Sequence, residues 1–200
     1  STFFEIGALD AADSISFKKT FPSCRVLAFE ATPESYKANK DSVLENNVEY
    51  YNTALLDKKT SLVFHTKDDA NAGINSFRDR GEVYGNKTIT LTTETVKSIC
   101  QDLDITHIDA AKIDVEGCTY EVLKGFDDML QKTGILHIET ETQSYFSNQH
   151  LQSDVFKYLQ SNNFLCICYI NCLDDQYDSV WVNNKILARW EIINNERLAS

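Results

Sequence analysis

Short apolar runs that end on an acid, each followed by a segment with helical spacing, recur along this chain and predict a succession of strand, turn and helix. Thr2-Phe3-Phe4-Glu5-Ile6-Gly7 reads as the first strand, and Asp13 or Ser14 is placed to cap a helix that runs through Phe21. Arg25 to Glu30 is the second strand. Thr32 then caps a helix with Pro33 at its first position, running to about Asn46. Val48 to Thr53 forms the third strand, after which the alternation breaks. Ser61–His65 and Lys87–Leu91 read as two antiparallel strands around a polar loop containing Gly73, Gly81 and Gly85. A loop of that length inside a compact domain is usually functional, a lid or binding loop, or else disordered. Val96, Ile99, Cys100 and Leu103 then follow helical spacing. Gly117 to Leu130 reads as one continuous helix, Ile135 to Glu141 as a strand and Leu151 to Asn162 as a helix. Phe164–Ile170 and Ser179–Val182 close the series. The fold class predicted is α/β: a doubly wound, seven-stranded, mainly parallel sheet with an antiparallel last strand and an inserted β-hairpin. All 200 residues read as a single domain.

Composition narrows what such a domain binds. A net charge of -11 with no basic run interleaved with aromatics disfavours nucleic acid and anionic membrane surfaces. No run is long enough to span a membrane, and no signal peptide is visible, so membrane insertion is not expected and an intracellular, cytoplasmic location is. The six cysteines form no CxxC pair and read as buried, reduced thiols. The chain starts at Ser1 and enters a strand at once, which reads as a piece of a longer polypeptide carrying other domains.

The chemistry gathers where Ala111-Lys112-Ile113-Asp114-Val115-Glu116-Gly117 carries a buried strand straight into two carboxylates and a glycine. In open α/β sheets, ligands bind outside the carboxyl ends of the strands, so acids placed there can act chemically. Glu5-x-Gly7 on the first strand and Glu30 closing the second add a glycine that lets a ligand approach and an acid able to accept ribose hydroxyls. GxGxxG is absent from the chain. A single glycine suits a nucleoside ligand without phosphates, such as S-adenosylmethionine, better than a dinucleotide. Lys112 shares a strand face with Asp114 and is expected to pair with it. His137 reads as a core histidine, and His65 and His150 as loop residues without evident partners.

Glu5-Ile6-Gly7-Ala8, Leu27-Ala28-Phe29-Glu30-Ala31-Thr32-Pro33, Asn52-Thr53-Ala54-Leu55, Lys112-Ile113-Asp114-Val115-Glu116-Gly117, Val122-Leu123-Lys124-Gly125 and Ile138-Glu139 together resemble the FkbM-type S-adenosylmethionine-dependent methyltransferases. The resemblance runs from Phe3 to about Glu141. It implies a Rossmann-like class I methyltransferase fold and methyl transfer to oxygen on a sugar or glycan. It further implies that Glu5, Gly7 and Ala8 line the methionine part of the cofactor, that Glu30 holds its ribose and that Thr53 and Ala54 lie near its adenine. Where many relatives have Asn and a second Gly in the first loop, this chain has Leu9 and Ala11. These narrow the turn and leave open a noncatalytic nucleoside-binding or interaction domain that has kept the fold.

Methyl transfer to a hydroxyl needs the acceptor oxygen held about 3 Å from the methyl and relieved of its proton. Asp114, Glu116 and Glu139 are the expected catalytic residues, with Glu141 in the same cluster, because carboxylates packed together push one pKa upward. A magnesium ion held by these acids is an alternative route to the same activation, with no metal ligand assigned. The loop from Lys67 to Asn86 is expected to shape the acceptor pocket.

Overall fold

The computed structural model describes residues 1–67, 73–81 and 87–188, with Asn171 and Leu173 described by backbone alone. Of the expected acceptor loop, residues 68–72 and 82–86 lie outside the described residues. The strands are β1 (Thr2–Ile6), β2 (Arg25–Glu30), β3 (Glu49–Asn52), β4 (Ala54–Leu55), β5 (Ser61–Thr66), β6 (Lys87–Glu94), β7 (Ile108–Ile113), β8 (Thr133–Glu141), β9 (Phe164–Leu173) and β10 (Gln176–Asn183). The helices are α1 (Ala12–Thr20), α2 (Pro33–Glu45), α3 (Val96–Asp102), α4 (Thr119–Gly125) and α5 (Gln152–Ser161).

Seven strands pair in the order β3-β2-β1-β7-β8-β10-β9. All run parallel except β10, which is antiparallel to both β8 and β9. β4, β6 and β5 form a separate three-stranded sheet in which β5 and β6 are the inserted hairpin. Side-chain alternation explains why helices cover both faces. Phe4 and Ile6 of β1 join the core under α3, α4 and α5 with Val122, Leu123, Val155 and Trp181, whereas Phe3 packs with Val26, Val43 and Tyr50 under α1 and α2.

Three local expectations change. Gly117 to Leu130 is not one helix: α4 ends at Gly125, Asp127 takes the left-handed φ of 50°, and a 3-10 turn follows over Asp127–Lys132. Aspartate tolerates that conformation, and Lys97 Nζ holds it from 3.0 Å. At α1, neither Asp13 nor Ser14 is the N-cap; that position is Ala11, which makes no side-chain cap hydrogen bond. The Ser14 N–H instead donates to Glu5 Oε2 at 2.9 Å, so the first strand caps the first helix. Among the cysteines, all six are free, but Cys168 and Cys172 are exposed because β9 is the sheet's edge strand. No helix among the described residues is long and apolar enough to cross a membrane.

Candidate functional site

The sheet reverses its order between β1 and β7, and a cleft of about 630 Å³, part of it open to solvent, lies at the carboxyl ends of the strands beside that reversal. One wall comes from the β1 loop through Gly7 and Leu9, and from the end of β2 through Glu30 and Thr32. Thr53 and Ala54 form the next side, Asp114 and Glu116 the far side, and Asn75, Ser76 and Phe77 of the inserted segment close over it.

Gly7 permits this architecture. Its φ is +85°, and a Cβ there would sit 1.9 Å from the Asp114 backbone oxygen, so the end of β1 touches the end of β7 only through a glycine. The loop beyond keeps a tight path without a second glycine, since Leu9 and Ala11 themselves adopt φ of 48° and 55°. Glu30 organises that loop: its Oε2 accepts from Leu9 N at 2.8 Å and its Oε1 from Thr32 N at 2.6 Å. Burial raises the Glu30 pKa against these hydrogen bonds.

The carboxylates form the second half of the site. Asp114 pairs with Lys112 at 3.1 Å, and Lys112 also reaches Asp13 at 2.6 Å, so the expected Lys112–Asp114 pair is present within a triad. Among the described residues, the cation that Glu116 faces is Arg80, at 3.6 Å. Burial pushes the Glu116 pKa up to about 7, with repulsion from Asp114 and Glu141 adding to it and Arg80 opposing it. Glu139 rises to about 8, mainly through burial and then through Asp114 and Glu116. Glu141 is buried, also with a raised pKa, and accepts from Gln149 at 2.7 Å. Among the described residues, no three His, Cys, Asp or Glu side chains are grouped so as to hold a metal ion.

Of the residues expected in the site, Gly7, Glu30, Thr53, Ala54, Asp114 and Glu116 line the cleft together. Glu139 is not among the lining residues and couples to the acids electrostatically. Glu5 and Ala8 do not line it: Glu5 is turned to Ser14, and Ala8 is buried against α1 and α2, its N–H donating to Phe29 O at 3.0 Å. Sequence reasoning missed Arg80 and the specific lining by Asn75, Ser76 and Phe77. The only trace of Arg80 in the sequence is an Arg78-Asp79-Arg80 cluster inside a loop already suspected of function. His150 finds a partner after all, Glu121 at 2.8 Å from its Nδ1.

The buried acids make stability depend on pH with a definite sign. Glu5 titrates near 7, raised chiefly by burial, and Glu116 and Glu139 are raised as well. Between pH 4.5 and these values the folded chain keeps protons that the unfolded chain releases, so stability falls as pH rises through that window and levels off above it. For Glu5 alone, urea titrations at pH 5 and pH 8 are expected to differ by on the order of 2 kcal/mol. Glu5→Gln, which keeps an acceptor for Ser14, should flatten that part of the slope; an unchanged slope would remove Glu5 as a contributor.

Comparison with known proteins agrees with this geometry. The family described as "Methyltransferase FkbM domain" matches residues 5–166. No curated protein matches the chain. Among solved structures, FkbM methyltransferase from Methylobacillus flagellatus KT superposes with a TM-score of 0.60 at 11% identity, over 90% of this chain and 43% of that one. TrmK of M. capricolum in complex with S-adenosyl-homocysteine gives 0.51 at 12% identity, over 92% and 62%. Precorrin-6y C5,15-methyltransferase from Geobacter metallireducens GS-15 gives 0.52 at 14%, over 90% and 78%. At these identities the structural likeness speaks to the fold, and the chain spans less than two thirds of the first two proteins.

Proposed function

The chain belongs to the FkbM methyltransferase family, and from that premise we propose that it is an S-adenosylmethionine-dependent O-methyltransferase whose acceptor is a hydroxyl of a sugar or glycan. The observation that carries the choice of oxygen is Glu116, a cleft-lining carboxylate poised near pH 7 among other acids. A neutral amine already presents its lone pair, whereas a sugar hydroxyl is a poor nucleophile until a base takes its proton. An acidic cleft in a chain of charge -11 also suits an uncharged, polyhydroxylated acceptor better than a nucleic acid.

The residues present fit the cofactor that the family uses. Glu30 would hold the ribose, because it lines the cleft and its Oε2, which accepts from Leu9 N, has a second lone pair to offer a hydroxyl. Thr53 and Ala54 would flank the base, and Gly7 leaves the backbone open to the methionine end. Bound S-adenosylmethionine would supply an electrophilic methyl on its sulfonium, the neutral thioether S-adenosylhomocysteine being the leaving group. Glu116 would accept the proton of the acceptor hydroxyl. Asp114, compensated by Lys112, and Glu139 maintain the negative field that raises the proton affinity of Glu116.

The reading is tested by incubating the protein with methyl-labelled S-adenosylmethionine and a panel of monosaccharides and oligosaccharides. A labelled methyl ether on a sugar is the expected product. Cofactor binding with no transfer to any sugar would sink the sugar assignment and favour a domain that binds without chemistry. Glu30→Ala is expected to weaken cofactor binding by more than about tenfold, since hydrogen bonds to a charged acceptor are lost. It should also cost about 1–3 kcal/mol of stability, because Leu9 N and Thr32 N lose their acceptor. An unchanged dissociation constant in calorimetry would take Glu30 out of the cofactor site.

A further inference from the structure

Resting on the functional reading above, we propose that Arg80 is a positioning residue: the inserted segment carries its guanidinium to Glu116, where it fixes the carboxylate and holds it in the charged form that can accept a proton. Arg80 and Glu116 are separated by the whole of β6, α3 and β7, yet Arg80 Nη1 lies 3.6 Å from Glu116 Oε2, with the two side chains only 17% and 16% exposed. The guanidinium rests on the Phe146 ring, 4.7 Å from its centre, and lies 5.4 Å from that of Tyr145. Phe146 is buried against Gly117, the residue after Glu116, so closely that a Cβ on Gly117 would come within 2.6 Å of the ring. One aromatic ring therefore sets both the arginine and the backbone bearing its partner.

The segment that carries Arg80 is pinned on either side of it. Ser76 Oγ donates to the Glu116 backbone oxygen at 2.6 Å, and Ser147 N donates to Asp79 O at 2.8 Å. Arg78 meets Glu121 at 2.6 Å and donates to Ser147 O at 3.1 Å. These contacts come from the turn between β7 and α4, from α4 and from the chain after β8, so the position of Arg80 is fixed by three separate parts of the molecule.

Electrostatics give that position a purpose. Glu116 is faced by Asp114 from its own strand end, by Glu139 and Glu141 from β8, and by Arg80 from the inserted segment. Lys112 is turned to Asp13 and Asp114. Burial and the neighbouring acids favour the protonated carboxyl, and Arg80 opposes them. A carboxyl that already carries its proton cannot take one from an acceptor hydroxyl.

The test follows the Glu116 carboxyl carbon by NMR titration in glutamate-labelled protein, assigned with Glu116→Gln, alongside the pH dependence of methyl transfer. In Arg80→Gln the titration midpoint is expected to rise by about one pH unit or more, with the ascending limb of the rate profile rising in step. Arg80→Lys, which keeps the charge, should restore most of both. Phe146→Leu leaves the arginine in place but removes the ring beneath it, and should raise the midpoint by less; it carries the test if Arg80→Gln does not fold. A midpoint unmoved in the folded variants would overturn the role given to Arg80 whatever their activity. A lower rate at every pH with no movement of the limb would also overturn it, reducing Arg80 to a structural clamp. Failure of the wild-type protein to methylate any sugar would instead overturn the functional reading, and the NMR midpoint separates that outcome from the other two.

Discussion

Glu116→Gln is expected to lower the rate of methyl transfer by about a hundredfold or more, equivalent to roughly 3 kcal/mol in the barrier, while leaving cofactor affinity close to that of the wild type. The amide keeps the volume of the side chain and still offers an oxygen toward Arg80, but it cannot take a proton from the acceptor. Stability is expected to hold or improve at pH 8, because a buried charge that raises its own pKa is removed from among Asp114, Glu139 and Glu141. Asp114→Asn provides the comparison. Its carboxylate is already paired with Lys112 at 3.1 Å, so its loss should act mainly through the field at Glu116 and reduce the rate less. Single-turnover kinetics with saturating cofactor measure both variants. If Glu116→Gln keeps its rate within a factor of about two, a change too small for loss of a general base, the base lies elsewhere. A chelator added to the wild-type enzyme separates the two routes to an activated hydroxyl, since direct proton transfer to Glu116 should be indifferent to it.

Gly7→Ala is expected to abolish cofactor binding and to destabilise the fold by about 3 kcal/mol or more, the range reached when a new atom is forced into a filled site with strained backbone. Two effects add. The residue must keep φ of +85°, which an L side chain rarely adopts, and its methyl would stand 1.9 Å from the Asp114 carbonyl oxygen. Relief would require β1 and β7 to part where Asp114 N donates to Ile6 O at 2.9 Å, which would carry Asp114 and Glu116 away from the β1 loop. Urea denaturation followed by circular dichroism gives the stability change, and calorimetry the binding. Ala11→Gly is the control: it relaxes a left-handed residue at φ 55° in the same loop without adding an atom, and should leave binding intact. A Gly7→Ala protein with native stability and affinity would show that the contact between the two strand ends is not required.

The sheet was legible in the sequence because its signal is local. The core strands are short, largely apolar runs, and several carry an acid at or just past the end that reaches the site, as at Glu30, Asp114 and Glu139. Alternation within a run fixes which residues face which helix layer, so Phe3 and Phe4 are assigned to opposite faces without any knowledge of their partners. The same locality made Gly7, Glu30, Asp114 and Glu116 readable as residues of the cleft, since a strand's carboxyl end delivers its last residues to one edge of the sheet.

Partners were not legible, because they come from segments distant in sequence that meet only when the crossovers close. Glu5 has the sequence position of a ligand-binding acid, yet α1 returns its Ser14 N–H to that carboxylate and turns it into a cap. Gly117 to Leu130 has the pattern of one helix, but the chain turns at Asp127, just past a glycine where a Cβ would meet Leu56 O at 2.0 Å. Arg80 sits in a polar loop that no periodicity describes, and it reaches Glu116 through contacts with Phe146 and the chain after β8. Periodicity alone therefore determined that this chain builds a sheet with acids along one edge. The tertiary structure decided which of those acids is spent on holding the fold, which is paired, and which faces the cleft with a charge still to be set, because burial and ion pairing depend on what the rest of the chain brings alongside.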